Sequence, residues 1–310
     1  MSQVPHPGTL QEKTQTRQGR ETNPGLQWPM ETQPFTTQIP QEYPPYETEY
    51  PPMTEYKGAG KLLNQYAVVT GGDSGIGRAV AVLFAREGCD VAIVYLEKEQ
   101  KDAQDTKAMI EAEGRQCLLV PTDVGYEENC LEAINHIHQY YPRIDVLVNN
   151  AGMQVFQDSI EDISAEQLER TFRTNVFGYF YMVKACLPLM NRGSKIINCT
   201  SVTAYKGTST LVDYSSTKGA EVSFTRSLAL QLAPKGIRVN GVAPGPIHTP
   251  LQPASRPQEG MEEFVGGQPP LGRVGQPSEV ATCFVFLASS DSSYMTGQVL
   301  HPNGGTIVNG

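Results

Sequence analysis

No stretch of this chain approaches the roughly 18 consecutive apolar residues that a membrane-spanning helix requires. Residues 1–25 also lack the apolar core of a secretory signal. Basic clusters are missing too: 33 acidic residues outnumber 24 basic ones, for a formal charge of -9. Neither nucleic acid nor an anionic membrane is therefore expected as a partner, and a soluble, cytoplasmic protein is expected. The six cysteines, Cys89, Cys117, Cys130, Cys186, Cys199 and Cys283, stand singly without a CxxC pair or other metal-ligand spacing. They read as buried, reduced thiols. His136 and His138 are two apart in a helix-like stretch, so they point in different directions, whereas helical metal pairs use i, i+4 spacing. No metal site is expected.

Tryptophan is scarce as well, and the one present, Trp28, lies in a segment unlike the rest. Residues 1–57 are rich in Pro, Gln, Thr and Glu, and Pro24, Pro29, Pro34, Pro40, Pro44, Pro45, Pro51 and Pro52 forbid a long helix or a central strand there. Such a composition buries too little apolar surface to offset chain entropy. It predicts an extended or disordered arm over 1–57, followed by one folded domain over 58–310. Trp28, Phe35, Ile39, Tyr43, Tyr46, Tyr50 and Tyr56 could nevertheless anchor the arm on a folded surface of the same or a neighbouring protomer.

From residue 61 onward, short β-branched runs alternate with longer amphipathic stretches. The strand candidates are 67–69, 91–95, 117–120, 144–148, 195–199, 237–242 and 298–300. Their near-continuous apolar character suits strands covered on both faces, as in a parallel sheet. Helix signals lie between them: Ser164 with Gln167 reads as a capping box with Ile163 and Leu168 as its staple, and Gly88 as a left-handed cap. The alternation predicts an α/β fold, a doubly wound parallel sheet in a single Rossmann-fold domain.

The first of these strands runs into Thr70-Gly71-Gly72-Asp73-Ser74-Gly75-Ile76-Gly77 and then a helix. In such a turn Gly71 makes the tight bend, Gly75 admits a pyrophosphate close to the backbone, and Gly77 lets the helix pack against the strand. The diphosphate rests against the helix N-terminus, where free N–H groups and the dipole favour negative charge. Further motifs follow in order: Asp123-Val124, Asn149-Asn150-Ala151-Gly152, Ser201, Tyr214-Ser215-Ser216-Thr217-Lys218, and Pro244-Gly245-Pro246-Ile247 through Thr249. Together they resemble the short-chain dehydrogenase/reductase family over about residues 61–310. The branch with Gly-Gly-Asp-Ser-Gly-Ile-Gly and a polar N-terminal extension, of general-stress and glucose/ribitol type, is the most similar.

The resemblance implies NAD(P) contacts from Gly71, Asp73, Ser74, Gly75, Ile76 and Gly77, from Tyr95 and Leu96 after the second strand, and from Asp123 and Val124, the carboxylate holding the adenine amino group. It adds Asn150, Ala151, Gly152, Tyr214, Lys218, Pro244, Gly245, Ile247 and Thr249. NAD specificity usually needs an acid at the end of the second strand, and Tyr95 stands there instead. Lys98 is the nearest cation, between Glu97 and Glu99, so the reading leans slightly to NADP with dual use open.

Tyr214 and Lys218 are four apart, on one helix face. A neighbouring ammonium favours the phenolate, so Lys218 is expected to lower the Tyr214 pKa toward working pH and let it exchange a proton with a carbonyl or alcohol. By resemblance, Ser201 polarises the substrate oxygen, Asn175 holds a water in the relay, and Lys218 also binds the nicotinamide ribose. A catalytically silent scaffold is the rival reading, against which the intact Asn175, Ser201, Tyr214 and Lys218 count. A lid is expected over 246–273, with apolar Leu251, Met261, Phe264 and Val265, which do not separate a sugar alcohol from an aldehyde or ketone. The family's last-strand motif recurs with Asn303 in place of Asp. The resemblance further implies a homotetramer, built through 165–184, 215–231 and 298–300.

Overall fold

The computed structural model describes residues 25–30, 32–40, 53–255 and 269–308. Two short strands of the arm, β1 (Gln38–Pro40) and β2 (Met53–Glu55), pair antiparallel, with Gln38 opposite Glu55. The apolar runs then form β3 (Tyr66–Thr70), β4 (Asp90–Tyr95), β5 (Cys117–Pro121), β6 (Val146–Asn149), β7 (Lys195–Cys199), β8 (Arg238–Val242) and β9 (Val299–Leu300). All seven lie parallel in one sheet of order β5-β4-β3-β6-β7-β8-β9. Each expected strand is present, with ends shifted by at most two residues.

The helices are α1 (Gly75–Arg86), α2 (Gln100–Ala112), α3 (Glu127–His138), α4 (Ala165–Phe172), α5 (Gly178–Cys186), α6 (Thr203–Lys206), α7 (Val212–Leu232), α8 (Leu251–Ser255) and α9 (Pro277–Ala288). They divide between the two faces of the sheet. Residues of α1, α2 and α9, among them Leu83, Phe84, Ile110 and Phe284, form one apolar layer with β3 and β4. Residues of α3, α5 and α7, among them Ile134, Met182 and Leu228, form the other. Side chains such as Leu83 and Phe84 are fully buried, and each contributes about 1.5–3 kcal/mol over its exposed state. The sheet is thus covered on both sides, which is why its strands read as unbroken apolar runs. None of the described helices is long and apolar enough to cross a membrane.

Strands β3, β4 and β5 build outward in one direction, and β6 returns to the other side of β3. Strand order therefore reverses between β3 and β6, which opens a crevice at their carboxyl ends. Both the glycine turn and the Asn150 segment emerge there.

The Ser164 cap is half of what its sequence suggests. The Ser164 hydroxyl accepts from the Gln167 N–H at 3.1 Å, but the Gln167 side chain turns away to donate to Asp213 Oδ2 at 2.9 Å. That hydrogen bond ties α4 to α7 beside Tyr214, so a tertiary contact has replaced the reciprocal cap.

The described part of the arm docks on its own domain. The Gln27 and Trp28 N–H groups both donate to the buried Asp102 carboxylate, at 2.8 Å each, and Lys101 Nζ lies 3.8 Å from the Trp28 ring centre. The Phe35 carbonyl accepts from the Ser278 N–H at 3.2 Å, filling one of the orphan donors at the start of α9. Nearer the domain, the Glu87 carboxylate takes hydrogen bonds from the Tyr56 hydroxyl and from the Ala59 and Lys61 N–H groups. Tyr43, Tyr46 and Tyr50 lie outside the described residues. Deleting residues 1–57 removes the two charged hydrogen bonds to Asp102, worth about 1.5–3 kcal/mol each, and should lower the melting temperature by roughly 6–12 °C. Melting curves and size exclusion of the full and truncated chains check this, and identical curves would mean the arm contributes nothing.

Candidate active site

The crevice deepens into a cavity of about 810 Å³, within the size range of small-molecule and cofactor sites. One end is the glycine turn. Gly71 and Gly75 carry positive φ, 62° and 51°, in the turn from β3 to α1. A Cβ on Gly77 would sit 1.8 Å from the Gly71 carbonyl oxygen, so no other residue lets α1 start this close to the strand. Asn150, just after β6, braces the turn: its Nδ2 donates to the Thr70 and Gly71 carbonyls at 3.1 and 3.0 Å. The loop after β8 closes from above, with Thr249 against Gly75.

Asp73, Ser74, Ile76, Tyr95, Leu96, Asp123, Val124, Ala151, Gly152, Pro244, Gly245 and Ile247 all line the same cavity, as do Gly71, Gly75, Asn150, Thr249, Ser201, Tyr214 and Lys218. Two of the expected residues do not. Gly77 acts through packing, as its backbone position implies. Asn175 is buried in a π-helical turn, Arg173–Phe177, with its Oδ1 accepting from the Met153 N–H at 2.8 Å. Its Nδ2 donates to the Met153 carbonyl at 2.9 Å and to Thr217 Oγ1 at 3.0 Å. Asn175 thus holds the Met153 backbone against α7, behind the cavity wall.

The other end of the cavity holds Ser201, two residues past β7, and Tyr214 and Lys218 on α7. The Ser201 side chain, which accepts from the Thr203 N–H at 3.2 Å, acts on the Tyr214 phenol and lowers its pKa. Lys218 Nζ lies 5.4 Å from the Tyr214 ring centre. It donates to the Cys199 carbonyl at 3.0 Å and to both carboxylate oxygens of Glu221, at 2.8 and 3.0 Å. This changes one expectation. Burial pushes the Tyr214 phenol above its ordinary value of 10, and although Lys218 and Ser201 pull it down, Glu221 pushes with burial. The ammonium lowers the phenol as its spacing suggests, but its field is partly cancelled.

At the glycine-turn end, Tyr95 is the last residue of β4, buried, with its hydroxyl donating to Gln100 Oε1. Asp73 and Glu99 are buried beside it on the cavity wall. Burial, reinforced by Asp73, pushes the Glu99 carboxyl up to about 9. The Asp123 carboxylate accepts from the Gly125 N–H at 2.9 Å and pairs with Arg170 at 2.8 Å. Asn303 shapes the neighbouring turn, its Oδ1 accepting from the Gly305 N–H at 3.1 Å and its Nδ2 donating to the Thr306 carbonyl at 2.7 Å. An Asp at this position could not make the second contact. Leu251 lines the cavity, whereas Met261, Phe264 and Val265 lie outside the described residues.

Three features escape motif reading. Gly25 of the arm lines the cavity, and Gln27 Oε1 accepts from the Gly75 N–H at 2.7 Å, at the N-terminus of α1. Arg170 reaches the cavity from α4 through its pair with Asp123. Glu221 pairs with Lys218, and here the signal was present: three residues on, it shares a helix face with the lysine. The residues present fit a dinucleotide, since the glycine turn aims a helix N-terminus into a long cavity whose far end carries a buried hydroxyl, phenol and ammonium.

Comparison with known proteins agrees with this geometry. A family model described as enoyl-(acyl carrier protein) reductase matches residues 71–306. The chain is 49% identical to general stress protein 39 of Bacillus subtilis over 98% of both chains. It is 53% identical to NADPH-dependent aldehyde reductase 1 of Arabidopsis thaliana, over 83% of this chain and 91% of the relative. A short-chain dehydrogenase of Burkholderia cenocepacia solved in complex with NADP superposes with a TM-score of 0.73 at 29% identity, covering 79% of this chain and 98% of that one. The chain belongs to the short-chain dehydrogenase/reductase family and is an NAD(P)-dependent oxidoreductase.

Proposed function

We propose that this enzyme interconverts a hydroxyl and a carbonyl on a small molecule, with Tyr214 exchanging the proton. The observation that carries the reading is that Ser201, Tyr214 and Lys218 line the same cavity as the glycine turn. The nicotinamide, when bound, supplies or takes up the hydride. Ser201 orients the substrate oxygen toward the phenol. Tyr214 donates its proton to that oxygen during reduction and removes it during oxidation. Lys218 holds a positive charge next to the phenol and would turn one of its donors to a ribose hydroxyl on releasing a contact to Cys199 or Glu221. Asn175 acts by fixing Met153 against Thr217, with a relay water as its further role.

Aldehydes, ketones and sugar alcohols are the substrate classes, and similarity to the aldehyde reductase of Arabidopsis favours a carbonyl. A panel of alcohols and carbonyls assayed with NAD(H) and NADP(H) tests the reading. Absence of turnover with every pair would sink it.

For the cofactor we favour NADP. Tyr95 brings no charge to the end of β4, and the buried Glu99 holds its proton up to about 9, so neither opposes a 2′-phosphate at neutral pH. Tyr95→Asp should shift the ratio of specificity constants toward NAD by about tenfold, ~1.4 kcal/mol. An unchanged ratio would mean that residue 95 does not face the adenosine ribose.

A homotetramer in the cytoplasm is the assembly and location we infer. Leu168, Phe177 and Phe180 on α4, α5 and the turn between them, and Leu230 on α7, are apolar side chains 39–80% exposed, which suits contact with a second copy.

A further inference from the structure

We propose that Glu221 is a positioning residue that sets the pH at which Tyr214 changes from proton donor to proton acceptor. The proposal rests on the proton-transfer role of Tyr214 given above. Glu221 lies one turn beyond Lys218 on α7, 1% exposed, and faces no solvent. Its carboxylate takes two of the three ammonium hydrogens of Lys218, and the Cys199 carbonyl takes the third. Every donor of Lys218 is therefore committed within the protein. The ammonium reaches Tyr214 or a ribose hydroxyl only by releasing one of these contacts.

The pair is also electrically neutral, which alters what the lysine can do. A lone buried ammonium stabilises a neighbouring phenolate strongly, whereas an ammonium with a carboxylate beside it stabilises the phenolate far less. Other groups facing this centre do not change the balance. Tyr179 on α5 donates its hydroxyl to the same Cys199 carbonyl, and burial holds that phenol well above 10. Burial likewise pushes the Cys199 thiol of β7 up to about 12. Ser201 is neutral. Asp213, the other carboxylate on this part of α7, is turned to Thr171 and Gln167 at 3.0 and 2.9 Å. Within the pair each partner holds the other's charge: burial pushes the Glu221 carboxyl up to about 7 against the pull of Lys218, and Glu221 raises Lys218 against burial. In the alkaline range where the phenol titrates, Glu221 is thus ionised.

The sign follows from electrostatics. Glu221 disfavours the phenolate, so it extends to higher pH the range in which Tyr214 is protonated and able to serve as an acid toward a carbonyl. Alcohol oxidation, which needs the phenolate, is confined to correspondingly higher pH. Removing the charge moves both profiles in the same direction, toward lower pH.

The experiment compares pH profiles of kcat/KM for oxidation and reduction at saturating cofactor in the wild type, Glu221→Gln, Glu221→Met and Glu221→Asp. Both neutral variants should move the oxidation limb and the reduction limb to lower pH by about one unit, about tenfold in oxidation rate at a fixed pH on the limb. Glu221→Asp keeps the charge and should keep the wild-type position. The Met variant fills the same volume without a polar group and serves if the buried amide prevents folding. A change in rate at every pH, with neither limb displaced, would overturn the proposal and leave Glu221 a purely structural partner. A spectrophotometric tyrosinate titration of each protein against its Tyr214→Phe counterpart reads the phenol without turnover. A shift there in a protein that catalyses nothing would contradict the functional reading while supporting the role of Glu221, and no shift in an active protein would do the reverse.

Discussion

Tyr214→Phe is expected to reduce turnover about 10³-fold, the scale of a positioned general acid–base group, while leaving the dissociation constant of the cofactor within a few-fold. The change deletes one oxygen and nothing else of consequence. The ring is 8% exposed, and phenylalanine keeps the ring that faces Lys218 Nζ at 5.4 Å. The residual rate comes from Ser201 and from holding the substrate beside the nicotinamide, neither of which the mutation touches. Steady-state kinetics in both directions, with cofactor binding measured separately by fluorescence titration, distinguish the outcomes. A fall in kcat with intact binding supports the assignment. Full activity would require another proton donor, for which Ser201, whose side chain acts on the phenol, is the first candidate.

Lys218→Met should be damaging in three ways at once, and the third arises from the structure. It removes a ribose partner, and it removes the positive charge that pulls the Tyr214 phenol down. It also leaves the Glu221 carboxylate buried with no counter-charge. Breaking a buried ion pair on one side costs about 3–5 kcal/mol, far more than the intact pair contributes. The loss depends on pH. Without Lys218 the Glu221 carboxyl is raised further, so the folded state binds a proton that the unfolded chain has released above about 4.5. Stability is therefore best retained in acid and declines as the pH rises toward the new folded-state value. The double variant Lys218→Met with Glu221→Leu should recover most of the stability at neutral pH and none of the activity. Thermal or urea unfolding across pH checks the prediction, and a single variant melting with the wild type at all pH values would show that the two side chains are not coupled.

The two faces of the sheet were legible because parallel strands buried on both sides leave unbroken apolar runs, so β3 to β8 could be read directly from Val, Ile and Leu. The cavity was legible because its parts are backbone turns at strand ends, where Gly71, Asn150 and Gly245 are required by local geometry. Contacts across long sequence separations were not. Gln27 and Trp28 meet Asp102 some 75 residues away through main-chain N–H groups, which no side-chain pattern records. Gln167 obeyed a tertiary demand from Asp213 in place of the local cap. The phenol's environment was misjudged for a related reason: the four-residue spacing of Tyr214 and Lys218 shows a pair, whereas the triad with Glu221 and the burial of all three decide which way the pKa moves. Asn175 carries the same lesson, since its side chain bonds Met153 and Thr217 across spacings that no local pattern records.

The most direct test of the central claim is a stoichiometric one. The purified full chain, given NADPH and a panel of aldehydes and ketones, should form one molecule of alcohol for each NADPH oxidised, and Tyr214→Phe should bind NADPH but form almost none. Tight binding of NADPH by the wild-type chain with no alcohol formed from any carbonyl, and no reverse oxidation of any alcohol, would contradict the account and leave a nucleotide-binding protein in its place.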